Sequence, residues 1–303
     1  MIIKVKATCI ALVAFLLALP NPSQAQMVPD EAIMNTLDRL DRISSYGDYD
    51  GFDSSYRLQI SEAIALCRVT LSTQRDSLTR SIFYYHKGRL ELLCKQIDSA
   101  RLDLETALAL DIANYPALER LCVLSYHHLK GYTKRKGLIV ASIENWKGKC
   151  ALDSTEAFQW YYLGMTYALQ NQFSGASNNE KIKRCLQKCM LLDSNNGSYI
   201  FEYALYIPED QRLPLLFKAL SKEENWLYRS HIIWWYKHRN QHAEILPFIE
   251  TSIQVYESQY PEYHSFLEDL WGASADAYKL LKDTERYKTS LEKQKYYAGL
   301  QGR

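Results

Sequence analysis

Glycine and proline are scarce, 12 and 8 in 303 residues, and no Pro/Gly-rich or low-complexity stretch divides the chain. Neither sign of charge is in excess, with 36 Lys and Arg against 35 Asp and Glu. A nearly neutral chain gives no broad electrostatic reason to expect nucleic acid or an anionic membrane as partner. Beyond residue 19 no run is long and apolar enough to span a bilayer. Motifs of common catalysis are missing as well: no Gly-rich phosphate loop, no nucleophile elbow, no zinc-protease helix. Paired acids occur as on any solvated helix, and none is marked out by its surroundings. These absences argue against an enzyme and give no reason to expect a cofactor.

What is present begins with residues 1–25, which read as a secretory signal. Lys4 and Lys6 form a basic start, Ile10 to Leu19 a short apolar core, and Ser23-Gln24-Ala25 a small-residue cleavage site. Cys9 precedes the apolar core and no Cys stands directly after the cut, so lipid attachment is not expected. The mature chain is expected to start near Gln26 and to be exported, periplasmic or else secreted, and soluble rather than membrane-spanning. Without Lys4 and Lys6 the count is 34 basic against 35 acidic residues.

Residues 160–167 read Trp-Tyr-Tyr-Leu-Gly-Met-Thr-Tyr, which fits W-x2-L-G-x2-Y. A second unit, Ser81 to about Asn114, carries Gly88, Ala100, Leu104 and Ala107, with Tyr84 and Glu91 where a Trp and a Tyr would stand. The small residues suit a close crossing of two helices. Together these units resemble the tetratricopeptide repeat, a helix–turn–helix that buries its apolar face only by stacking on neighbours. The resemblance implies an all-α fold, a right-handed α-solenoid of stacked repeats. Further starts are expected near Tyr115, Ala157, Asp193, Trp226 and Glu268, with the added length in polar stretches such as Lys130–Gly137. Asn171–Glu180 reads as a lengthened turn inside the Ala157 unit. The expected organisation is a signal over 1–25, a divergent helical cap over 26–80, and a repeat array over 81–303. Lys288 to Lys295 would be a polar helix capping the end.

In the family it resembles, the first helix of each unit lines a concave groove. That implies a binding face made of Tyr85, Arg89, Glu119, Tyr126, Tyr161, Met165, Phe201, Trp234 and Lys237, beside but not among the packing residues. Aromatic rings give broad contact at low entropy cost, and the few charges could orient a peptide. Tyr85 and Arg89 do not reproduce the Lys and Asn by which some relatives clamp a C-terminal carboxylate. Trp234 and Trp235 should split between groove and inter-helix core.

Six cysteines lie beyond the signal: Cys67, Cys94, Cys122, Cys150, Cys185 and Cys189. In an exported protein an even number raises the possibility of disulfides, and Cys122 with Cys150 is the best pair. Yet Cys122 occupies the slot of Gly88 and Gly164, and Cys189 that of Ala107, where a thiol is a small apolar filler. Gly47 to Asp53 resembles a fragment of a calcium loop. Tyr46 and Arg57 spoil its first and last ligand positions, which favours a capping turn. His231, His238 and His242 straddle an expected turn at Arg239-Asn240-Gln241 and need not share a face, so no metal site is expected. The expected function is a non-enzymatic scaffold binding a protein or peptide segment in the cell envelope. The alternative is a glycan-binding component of nutrient uptake, although proteins of that kind usually carry a lipid-anchoring Cys that is absent here.

Overall fold

The computed structural model of the protein describes residues 54–261 and 263–300. The signal segment, the first half of the expected cap and the 47–53 loop lie outside the described residues. Among the described residues there are thirteen α-helices and no strand. They fall into two compact units, described residues 54–110 and 111–300.

The first unit holds α1 (Ser54–Thr73), α2 (Ser77–Leu93) and α3 (Ile97–Leu110). The second holds α4 (Tyr115–His127), α5 (Arg135–Leu152), α6 (Ala157–Ser174), α7 (Asn179–Leu192), α8 (Gly197–Leu205), α9 (Arg212–Lys222), α10 (Trp226–His238), α11 (His242–Gln259), α12 (His264–Leu280) and α13 (Thr284–Ala298). From α2 onward they pair as six helix–turn–helix repeats, α2 with α3 through α12 with α13. The fold is tetratricopeptide-like.

Short polar side chains set where helices begin. Asp76, Asn114, Asn196, Asn225 and Asp283 each accept a backbone N–H of the following first turn, at 2.7 to 3.2 Å. Such caps satisfy donors that the helix itself leaves unpaired. Tyr115, Ala157 and Trp226 are helix starts as expected. The Asp193 unit starts later, at Gly197, because Asn196 supplies the cap. The last unit starts earlier than Glu268, at His264. The turn expected over Asn171–Glu180 is shorter, since α6 runs on to Ser174 and stops at left-handed Gly175. Lys288 to Lys295 lies inside α13, the second helix of the sixth pair.

The tight turns within three repeats share one geometry. Lys95, Asn240 and Lys282 each have φ near +60°, two residues past the end of a first helix. Around each, the next residue's N–H reaches back over five positions: Gln96 to Glu91, Gln241 to Tyr236, Asp283 to Tyr278. This is the Schellman closure of a helix end.

The repeat motif serves packing. Leu163 and Tyr167 are buried, and a Cβ added to Gly164 would stand 3.2 Å from Cys185 Cβ and 3.3 Å from Leu186 Cγ on α7. Gly88 meets Leu104 and the Ala100 carbonyl as closely. The first unit's core joins Ile60 and Cys67 of α1 to Phe83 and Leu90 of α2. In the second unit a continuous core runs from Ile200 to Tyr297. Burying each such large apolar side chain is worth about 1.5–3 kcal/mol, which is how repeats marginal alone become stable together.

Candidate functional site

The first helices of the second unit lie side by side in one direction. Tyr115 meets Tyr162 and Tyr126 meets Phe173, at ring-centroid distances of 5.5 and 5.8 Å, so α4 and α6 run parallel in register. Tyr161 of α6 meets Tyr199 of α8 at 5.0 Å. Phe201 of α8 stacks on Tyr228 of α10 at 4.6 Å. Between α10 and α12, Trp226 approaches Phe266 and Lys237 Nζ bonds Asp276 Oδ2 at 2.9 Å. Five helices thus form one file, and the aromatic residues are what join them.

On that file Tyr126 is 66% exposed and Trp234 is 50% exposed. Trp234 lies flat on His238, with 9° between their rings. Trp235 turns the other way, donating its indole N–H to the Glu209 carbonyl at 3.0 Å under the Arg239 guanidinium. Glu119, Tyr161 and Met165 are partly exposed. Lys237 lines a small polar depression of about 280 Å³ with Asp276 and Lys279.

Phe201 corrects the expected groove. It is only 2% exposed, because the next first helix lays Tyr228 and His231 over its ring. Tyr161 and Phe201 each sit four residues into a first helix and meet a ring two residues into the next. Burial and the nearby Arg212 hold the His231 imidazole below its usual range. Among the described residues no group of three or more His, Cys, Asp or Glu could hold a metal ion.

Tyr85 and Arg89 belong to the first unit, where the Arg89 guanidinium lies 5.6 Å from the Tyr85 ring centre. Behind them Lys87 joins Glu91, at 2.9 Å, to Asp103. Burial first, and the hydrogen bond with Asp103 second, push the Glu91 carboxyl up to about 7. Glu91 takes the place of a core Tyr, and this cluster ties α2 to α3.

All six described cysteines are free thiols, so Cys122 and Cys150 are not bridged. The Cys122 thiol is influenced by Arg135 and Glu119, whereas Cys150 is the thiol felt by Cys185. Burial pushes the thiols of Cys122, Cys185 and Cys189 up to about 12, which leaves them poor nucleophiles.

No family model and no curated protein matches the chain. Solved structures similar to it include a tetratricopeptide protein of Thermus thermophilus, 17% identical over 64% of this chain and 98% of that one, TM-score 0.45. One from Parabacteroides merdae is 12% identical over 88% and 98%, TM-score 0.42. The C-terminal part of a repeat protein of Cytophaga hutchinsonii is 13% identical over 78% and 90%, TM-score 0.44.

Two residues of the file escaped the sequence reading. Glu202 of α8 is partly buried, and burial first, then the Glu119 carboxylate, raise its carboxyl to about 7. Tyr115, the first residue of α4, is 5% exposed, and Glu119, Tyr161 and Glu202 all act on its hydroxyl. Neither belongs to a repeat motif. The one available signal was an acid flanked by aromatics in Phe201-Glu202-Tyr203.

Proposed function

We propose that this is an exported, non-enzymatic scaffold of the cell envelope, periplasmic, that binds a protein or peptide segment along the first helices of its second unit. The observation carrying this reading is the parallel file from α4 to α12 with Tyr126 and Trp234 exposed upon it. Large rings held by a stacked scaffold bind with little ordering cost on the scaffold's side. Aromatic anchors are where interface energy concentrates. Export rests on the residues of 1–25.

The test is capture of crosslinked partners by the exported chain carrying Tyr161→Ala with Trp234→Ala. Capture should fall at least tenfold with helical content by circular dichroism unchanged; undiminished capture would sink the groove. N-terminal sequencing of the same preparation should begin near Gln26. A chain that keeps Met1 and stays in the cytoplasm would remove the envelope from the account.

A further inference from the structure

We infer that the turn between α4 and α5, with the ends of α4 and α6, docks an acidic stretch of the bound segment that carries one large apolar side chain. This names the partner's chemistry for the groove reading and rests on it. Rings bring the three elements together. Phe173, near the end of α6, has the Tyr126 ring 5.8 Å away and the Arg135 guanidinium 5.4 Å away. Tyr126 in turn meets His127 edge-on at 5.0 Å, and His128 stands 6.2 Å beyond His127. Tyr126 is 66% exposed, Val123 one turn before it is 37% exposed, and Phe173 is partly exposed. Lys130 and Lys136 are exposed beside them, as are the two histidines.

Charge on this patch has one sign. No acid stands between Glu119 and Glu144, nor between Glu156 and Glu180. So α4 beyond Glu119, the turn, α5 as far as Glu144 and all of α6 carry no carboxylate. Elsewhere in the second unit cations stand beside acids, as Lys147 beside Glu144 at 2.8 Å and Lys237 beside Asp276 at 2.9 Å. The Arg135 guanidinium lies against a ring instead. Its Nη1 is buried with no hydrogen-bond partner among the described residues. Lys134 is engaged within the chain and is not counted here.

Folding does not account for these cations. Arg135 and Lys136 open α5, which has no acid in its first turn and no side-chain cap. Cations at the start of a helix oppose its macrodipole, so α5 gains nothing from them. Their use is outward. A guanidinium stacked on a ring keeps edge donors for a carboxylate. Lys130 and Lys136 add mobile ammonium groups, and the imidazoles add further donors. Val123, Tyr126 and Phe173 meanwhile offer an apolar floor on which one large side chain can rest. The complement is a short run of acids around one aromatic or long aliphatic residue.

A long polyanion fits less well. Glu119 lies two turns back from Tyr126 on α4. Glu180 lies in the first turn of α7, whose Asn179 is tied to Asn171 of α6 at 2.9 Å. A nucleic acid or an anionic bilayer would run onto these acids, while a short acidic stretch ends between them. The charges met are side-chain carboxylates along the stretch, so no free C-terminus is required of it.

The experiment measures fluorescence anisotropy of a labelled peptide against the full chain at low salt. The peptide has one phenylalanine between two runs of three glutamates, with both ends capped. Its controls are the same peptide with alanine for phenylalanine, its lysine counterpart, vesicles of phosphatidylglycerol and a single-stranded oligothymidylate. Saturable binding is expected, about tenfold weaker with alanine and absent with the lysine counterpart. Lys130→Glu with Lys136→Glu should weaken it by about tenfold or more, and Tyr126→Ala by about tenfold, with helical content unchanged. Arg184→Glu with Lys188→Glu, an equal change of charge at exposed sites of α7, should leave it within about twofold. No saturable binding, equal binding of the alanine peptide, equal loss from the α7 pair, or tighter binding of the vesicles or the oligonucleotide would each overturn the site. Failures of the two readings separate cleanly. Partner capture that survives the Lys130/Lys136 reversal but not the Tyr161/Trp234 double substitution removes this site and keeps the groove. Capture lost with the reversal but indifferent to Tyr161→Ala and Trp234→Ala keeps this site and removes the groove instead.

Discussion

At the scale of single residues, the repeat signature divides into residues that pack and residues that face outward. Gly164 shows the first kind most sharply, because 3.2 Å to Cys185 Cβ leaves no room for a side chain. Gly164→Val should destabilise the chain by about 2 kcal/mol in denaturant unfolding, as overpacking does. Gly148, inside α5 with nothing within 4 Å of an added Cβ, should gain about 0.5–1 kcal/mol on replacement by Ala. Similar effects at both sites would deny that α6 and α7 meet through Gly164. The second kind was legible in Tyr126 and Trp234, which stand exposed where the motif's spacing puts them. Phe201 was not, because what covers it comes from Tyr228, 27 positions further on. Glu202 escaped for the same reason. An acid on a helix looks solvated until the tyrosines of three other helices are placed around it.

At the scale of elements, helix starts were legible where a cap or a motif marks them, as at Asn114 before Tyr115 and at the octet within α6. Between Asp193 and Gly197 three polar residues compete as caps, and only the fold shows that Asn196 wins. Of the shared turns at Lys95, Asn240 and Lys282, only the one at Arg239-Asn240-Gln241 was legible in the sequence, since glycine, the usual marker of left-handed backbone, stands at none of the three. That conformation costs an ordinary residue about 1–2 kcal/mol. Lys95→Gly should therefore raise stability by about 0.5 kcal/mol net of the freedom glycine adds to the unfolded chain, while Lys95→Ala should bring no gain. Urea unfolding of both variants decides it, and a glycine variant less stable than the alanine one would contradict the shared turn. The free thiols follow from the same packing. Cys122 and Cys189 are fillers in slots where other repeats place glycine or alanine.

At the scale of the whole molecule, all-helical stacking was readable from two strong repeats, because each such hairpin needs neighbours to cover it. The exposed face of the file was only partly readable, since it arises from how successive first helices meet. The account's central claim is that the file from α4 to α12 holds the partner. A photo-crosslinking amino acid placed singly at Tyr126, at Trp234 and at Leu191 in the exported protein tests it directly. Leu191 is 69% exposed but lies on α7, a second helix. The account predicts one and the same adduct from positions 126 and 234 and none from 191. Adducts from 191 alone, or equally from all three, would contradict it.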